Sequence, residues 1–329
     1  MTGTGTGTGT DTGTGTDTTG STTVGVDVGG TKVLGVALGP DGTVTAEARH
    51  PTPRGGEALI ATVLAVVEEL RTGDTRAVGI GLPGLVDRAG TLRFGPNLPG
   101  IVELPVGARV AAATGLVVQA DNDATCATWA EHLWGAGREV ADLLLVTLGT
   151  GIGGGLVLDG RLVRGANGFA GEIGHMVVDQ DGVACVCGRR GCWERYGSGS
   201  GLGRMAREAA EAGRGARMVE LAGGDVDLVR GEHATAAALE GDAEALVVMR
   251  RLAGWVGLGL ASLVHILDVR RIVIGGGLVE AGDTLLEPVR TAFVERLVAP
   301  DHRPEVEIVA AALGERAGAI GAGLLARVA

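Results

Sequence analysis

Between Gly174 and Gly199 the chain reads GHMVVDQDGVACVCGRRGCWERYGSG, which gathers one histidine and three of the four cysteines. His175, Cys185, Cys187 and Cys192 make a His-x9-Cys-x-Cys-x4-Cys set, a soft donor group that suits tetrahedral zinc. The spacing is not that of a zinc finger, whose paired ligands sit two to four residues apart at both ends. Four protein ligands fill a tetrahedron and leave no position for water or substrate, so the expectation is a structural metal. A zinc-bound imidazole keeps a second nitrogen, and His175 can turn it toward a hydroxyl while the first holds the metal. Glu172 and Glu194 bracket the cluster. Two carboxylates and an imidazole around one pocket suit a polyhydroxylated ligand, although an isolated glutamate is by default a surface ion-pair partner. Cys126 stands apart and reads as a small buried hydrophobe.

Three glycine turns could face phosphate. DVGGTK, Asp27 to Lys32, ends a strand in a carboxylate, then offers Gly29 and Gly30 for converging backbone N–H groups, the Thr31 hydroxyl and the Lys32 ammonium. For a Gly-Gly pair alone a hairpin turn without a ligand is the favoured reading, and neither the Walker loop nor the dinucleotide signature is matched at that turn. GTGIGGG places Thr150 and Gly151 at a second strand end, and Gly275, Gly276 and Gly277 form a third turn. Three such turns at strand ends point to a nucleotide in a cleft. In ADNDATCATWAEHLW, Asn122 and Asp123 stand where a strand meets a helix. One residue of the trio Asp121, Asn122 and Asp123 can cap the helix, for about 1 kcal/mol. Another is then free to take a proton from an alcohol attacking phosphorus. Asn97, in the proline-bounded GPNLPG, is a turn residue or a ligand amide.

The elements that must position these residues alternate strand and helix. Val24 opens a strand, glycine turn, strand, turn and strand; Leu59, Ile60, Val63, Leu64, Val67 and Leu70 then repeat at helical spacing. The first residues of RAVGIGLPGLV, before the glycine-proline break, and LVVQAD read as strands, with a helix from near Asp123 to Trp134. The second half starts with DLLLVTL, turns through GTGIGGG, and becomes helical from residue 200, the longest helix spanning about 241–267. RRIVIGGGL and EVEIVAA read as strands before a last helix at about 315–329. This is an α/β protein with two similar layers. The expected division is a Thr/Gly tail at 1–23 with nothing to bury, a first domain at 24–138 and a second at 139–314. The glycine turns early in each half hint at internal duplication without a residue-level repeat.

Composition narrows the partners. A formal net charge of -11 disfavours nucleic acid and anionic membrane surfaces. Three cysteines packed into eight positions of a 329-residue chain fit reduced, metal-binding thiols better than disulfides. No basic segment leads into an apolar stretch at the N-terminus, and AGWVGLGLASLV is shorter than the ~20 residues of a membrane span, so a cytoplasmic protein is expected.

Taken together the motifs resemble the ROK family of sugar kinases and repressors, and within it the actinobacterial type of bacterial glucokinase. DVGGTK resembles the family's first phosphate motif, GLPG and GPNLPG its sugar-side loops, DNDATCATWAE the segment with the catalytic aspartate, GTGIGGG the second phosphate motif, and IVIGGG the nucleotide-side turn. GEIGH followed by CVCGRRGCWE matches the sugar-and-zinc signature at every fixed position. The resemblance implies a two-domain, actin-like (ribonuclease-H-like) fold with an interdomain cleft, the last helix packing back on the first domain. It implies Asp123 as the base for a sugar 6-hydroxyl. Asn97, Asn122, Glu172, His175 and Glu194 would hold the sugar, with ATP and Mg²⁺ along Asp27–Lys32, Thr150, Gly151 and Gly275–Gly277, and zinc on the Cys3His set. Glucose is the expected acceptor and a homodimer or homotetramer the expected assembly. N-acetylmannosamine, fructose or mannose as acceptor and polyphosphate as donor remain open, because no motif reports pocket shape around C2. A repressor would need a basic helix-turn-helix ahead of the first phosphate motif, where only the Thr/Gly repeat lies.

Overall fold

A computed structural model describes residues 21–96, 98 and 100–328. The tail expected at 1–23 therefore lies almost entirely outside the described residues, as does Asn97. Strands β1 (Thr22–Val28), β2 (Lys32–Leu38) and β3 (Val44–Pro51) run antiparallel, and α1 (Gly56–Leu70) crosses back to β4 (Thr75–Leu82), which lies parallel to β1. A small antiparallel sheet follows, β5 (Leu85–Val86), β6 (Leu92–Phe94) and β7 (Val102–Leu104), around the proline-bounded GPNLPG turn. Helix α2 (Val106–Thr114) leads to β8 (Val117–Asn122), parallel to β4, and α3 (Asp123–Trp134) starts directly after its last residue.

The second half repeats the plan. Strands β9 (Leu143–Leu148), β10 (Ile152–Leu158) and β11 (Arg161–Leu162) are antiparallel. Helices α4 (Glu194–Gly197), α5 (Gly199–Glu211), α6 (Ala216–Leu221), α7 (Gly231–Leu239) and α8 (Ala243–Leu267) intervene before β12 (Arg271–Gly275), parallel to β9. Then come α9 (Asp283–Val294), β13 (Glu307–Ala310), parallel to β12, and α10 (Ala317–Leu325). The two five-stranded sheets have strand orders β3-β2-β1-β4-β8 and β11-β10-β9-β12-β13, which are the same order with the same directions. The duplication hinted at by the glycine turns is thus a repeat of topology.

With few aromatic residues, the core is built from aliphatic side chains and close backbone contact. Val24, Val26 and Val28 of β1 pack with Leu59, Val63, Val66 and Val67 of α1, while Leu34, Val36 and Leu38 of β2 pack with Ala319, Ile320 and Leu324 of α10. The first sheet is therefore covered on both faces, as its nearly continuous apolar strands require. Gly25 and Gly79 are register partners on β1 and β4. A Cβ at either would sit 1.9 or 1.8 Å from a carbonyl of α10, so the helix backbone lies directly on the sheet. Helix α3, for its part, packs on β9 and β10 as well as on α10. Each half thus sends its last helix across to the other.

Helix α8 is long and apolar enough to cross a bilayer by length and composition, but 61% of that window is buried inside the protein, as in a core helix. The glycines in it serve packing. A Cβ at Gly259 would fall 2.0 Å from the Trp193 ring, and one at Gly257 would meet the backbone of α9. Trp193 is fully buried and donates its indole N–H to the Trp255 carbonyl at 2.7 Å, which ties the end of the cysteine segment to α8.

Candidate active site

Two carboxylates stand at the ends of first-sheet strands. Asp123 is the first residue of α3, and Asn122 caps the helix by accepting the Thr125 N–H at 3.0 Å. The capping role that either residue could take falls to Asn122, whose amide also donates to the Gly84 carbonyl at 3.1 Å. One Asp123 oxygen accepts the Ala124 N–H at 2.8 Å. Burial pushes the Asp123 carboxyl up to about 6, the Ala124 N–H works against that rise, and Glu172 adds to it. Asp27, at the end of β1, is pushed up to about 7, first by burial and then by the charge of Asp123, with Lys32 opposing. Its Oδ1 is buried without a hydrogen-bond partner. An orphaned carboxylate oxygen beside a second carboxylate suits a hard divalent cation with oxygen ligands.

Both aspartates line a cavity of about 550 Å³, with Asn122, Glu172, His175 and Glu194 on one part of its wall and Thr150, Gly151 and Gly275–Gly277 on another. Residues more than 240 positions apart in sequence share one space. Glu172 and His175 flank a single 3-10 turn, with His175 Nε2 3.9 Å from Glu172 Oε2. Burial raises the Glu172 carboxyl, His175 lowers it and Glu194 raises it again. A Cβ on Gly151 would lie 2.5 Å from Glu194 Oε2, so the second glycine turn touches the end of the cysteine segment.

His175, Cys185, Cys187 and Cys192 bring their ligand atoms within 4.8 Å of one another. His175 Nδ1 lies 3.9 Å from Cys185 Sγ, so one ring nitrogen faces the sulfurs and the other faces Glu172. This donor set and its clustering fit zinc. Cys126 is fully buried, and burial first, then Asp121, Asp27 and Asp123, hold its thiol well above the usual range. It is a packing residue.

The first glycine turn differs from expectation. Gly29, Gly30, Thr31 and Lys32 are not part of the cavity wall. The turn closes on itself, with the Gly29 N–H donated to the Lys32 carbonyl at 2.8 Å. The Lys32 ammonium pairs with Glu315, which does line the cavity and also binds Arg49. Lys32 thus stands at the rim with its charge engaged.

Two further features gave no motif signal. Glu131 of α3 is fully buried on the cavity wall, and its carboxylate accepts N–H groups from Ala136 (2.7 Å), Ala312 (3.0 Å) and Leu313 (2.8 Å). It fastens the segment before α10 to the helix that begins at Asp123. Asp121, 4% exposed, pairs with Arg164 from the second half. Only helical spacing could have marked Glu131, two turns beyond Asp123, and nothing local could have named its partners.

A family model for the ROK family matches residues 23–329. The chain belongs to the ROK family. It is 40% identical over 309 residues to a glucokinase of Streptomyces coelicolor, covering 93% of this chain and 97% of that one. An N-acetylmannosamine kinase of Salmonella arizonae is 34% identical, with 93% and 98% covered. Among solved structures, a ROK family glucokinase from Streptomyces griseus in complex with glucose and AMPPNP superimposes with a TM-score of 0.84 at 39% identity, covering 93% of this chain and 99% of that one. The mixed sheets and crossed helices described above are those of a ROK-family kinase, of the broad kind shared by actin, hexokinase and ribonuclease H.

Proposed function

We infer that this ROK protein is an ATP-dependent glucokinase, moving the γ-phosphoryl group of ATP to the 6-hydroxyl of glucose and releasing ADP. The observation that carries the reading is the single cavity shared by Asp123, the Glu172–His175–Glu194 group and the glycine turns, in a family whose Streptomyces griseus member was solved with glucose and AMPPNP.

Asp123 removes the 6-hydroxyl proton as that oxygen attacks phosphorus. A carboxylate near 6 is more basic than an ordinary aspartate yet still mostly ionised at neutral pH, which is what a general base needs. Asn122, Glu172, His175 and Glu194 hold the pyranose hydroxyls, and the resemblance assigns Asn97 to the same task. Thr150, Gly151 and Gly275–Gly277 cradle the nucleotide, and Lys32 meets the phosphates once they displace Glu315. Mg²⁺ would be held beside Asp27 and would neutralise phosphate charge. Zinc on His175, Cys185, Cys187 and Cys192 would orient His175 and both glutamates rather than take part in the chemistry.

The repeated sheets support two domains, 24–138 and 139–314, in an actin-like arrangement whose cleft is this cavity, with α10 returning to the first. The acidic net charge accords with no nucleic-acid or anionic-membrane partner; clustered reduced thiols suit the cytoplasm, and the family resemblance implies a homodimer or homotetramer. Steady-state kinetics with glucose, N-acetylmannosamine, fructose and mannose, each with ATP and with polyphosphate, test the reading. Glucose with ATP should give the highest kcat/KM. A tenfold preference for another pair would overturn it.

A further inference from the structure

The segment from Val163 to Glu172 leaves β11 and delivers Glu172 and His175 to the cavity wall. Little inside it sets its shape. Gly165, Gly168 and Gly171 have φ of 72°, 98° and 98°, a left-handed region that costs glycine least, and the bond from Ala170 N–H to the Arg164 carbonyl, 3.2 Å, spans its middle. Its two ends rest on β10, where the Val163 N–H is donated to the Leu156 carbonyl at 2.9 Å and Gly171 lies against Gly154, while the side-chain ties on its middle come from the first half. Arg164 sends its guanidinium to Asp121, two residues before Asp123 on the same strand end. Arg88, from the turn between β5 and β6, donates in the opposite direction to the carbonyls of Gly165 (3.0 Å) and Ala166 (3.1 Å). Gly168 lies so close to this turn that a Cβ there would be 2.6 Å from the Val86 carbonyl oxygen.

Asp121 gives the tie its force. Its side chain is 5% exposed, one oxygen takes the Asn122 N–H at 2.9 Å, and the other takes Arg164. A carboxylate this buried needs a charged partner, and a guanidinium offers several donors in a fixed plane. Moving Arg164 away would leave an uncompensated charge beneath the strand end that carries the base.

We propose that Arg164, seated on Asp121, and Arg88, holding the Gly165 and Ala166 carbonyls, are positioning residues that set the Glu172–His175 segment against Asp123. They touch no substrate and act through the segment's conformation. The proposal rests on the reading of Glu172 and His175 as sugar contacts, and it makes affinity for the sugar, not for the nucleotide, the sensitive quantity.

The test is steady-state kinetics and thermal melting on full-length Arg164→Met, Arg164→Lys, Arg88→Met, Asp121→Asn and the Arg164→Met/Asp121→Asn double variant, with Glu172→Ala as control. Arg164→Met should raise the glucose KM on the order of tenfold or more, as small misplacements of binding groups do, with the ATP KM within about two-fold. Arg164→Lys should recover part of the loss, and Arg88→Met should move the glucose KM in the same direction. The double variant should be no worse than Arg164→Met alone, because no charge is left unpaired. A folded Arg164→Met with a lowered melting temperature and an unchanged glucose KM would reduce Arg164 to a structural brace and overturn the proposal. So would equal rises in the glucose and ATP KM values. If Arg164→Met does not fold, Arg164→Lys and Arg88→Met decide: a rise in the glucose KM in both supports the proposal, and no rise in either overturns it. An unchanged glucose KM in Glu172→Ala would instead sink the sugar-contact reading, and this inference with it.

Discussion

The two five-stranded sheets share strand order and direction, yet their strand ends bring different chemistry to the same cavity. Asp27 on β1 pairs with Leu34 and Gly81; Thr147 on β9 pairs with Gly153 and Gly275. The two residues occupy matching register positions and both line the cavity. Asp27 carries a buried, unpartnered oxygen and a carboxyl pushed up to about 7, whereas the Thr147 hydroxyl accepts the Gly153 N–H at 3.1 Å. The first half places Asp27 next to the end of β1 and Asp123 just past β8, whereas β9 and β12 of the second half run into glycine turns on the cavity wall. At its sheet ends, one scaffold used twice therefore supplies carboxylates from the first half and close backbone from the second, whose further charges, Glu172, His175 and Glu194, come from segments outside its sheet. Phosphoryl transfer needs both, a base with charge compensation and an uncrowded phosphate cradle.

Replacing Asp123 should break the comparison most severely. Asp123→Asn should lower kcat by roughly 10²–10⁴ while glucose affinity stays within a few-fold, because it removes the base and keeps the shape. Calorimetric glucose binding alongside turnover checks this, and undiminished turnover would return the base assignment to the other carboxylates. The second half answers through its cysteines. Purified protein should carry about one zinc per chain, and Cys187→Ser should lose it and weaken glucose binding by up to about 10²-fold as His175 and the glutamates shift. Elemental analysis with binding measurements decides this; full affinity without zinc would confine the metal to bracing the fold.

The raised carboxyls make a smaller, signed prediction. As the proposed base, Asp123 would have to be ionised, so kcat/KM should fall about tenfold per pH unit below about 6. Stability should move the other way. Asp27 titrates above the ordinary 3.8, so its ionisation is harder in the fold than in the unfolded chain. Its contribution to stability is complete below about pH 4 and is lost as pH rises through about 7. Asp27→Asn should accordingly gain melting temperature over wild type at pH 8 and show little gain at pH 4. Lys32→Ala should have the smallest effect, a few-fold rise in the ATP KM with glucose affinity unchanged, because the ammonium sits at an exposed rim and already has a partner in Glu315. A change confined to glucose affinity would place Lys32 elsewhere.

Local chemistry made much of this legible. Apolar periodicity marked α1, β9 and α8, and the strand-to-helix junction at Asn122–Asp123 was visible because caps and strand ends have residue preferences. The Cys3His spacing, confined to 18 residues, announced its own cluster. What stayed hidden depends on residues far apart in the chain. The small β5–β6–β7 sheet has strands of two or three residues, too short to show a period. The engagement of the Lys32 ammonium by Glu315 could not be read, because the two lie 283 residues apart.

The sequence by itself determined which residues can do chemistry here and that they sit at strand ends, because side-chain type and local period are properties of short segments. Which of them share a space was decided by the tertiary structure. Repeated sheets had to pack through exchanged helices before Asp27, Asp123, Glu172 and Gly276 could face one cavity. Glu131 and Asp121 acquired partners only then, Ala312 and Leu313 for one and Arg164 for the other. A buried carboxylate must find its donors wherever the fold brings them, and no local pattern records where that is.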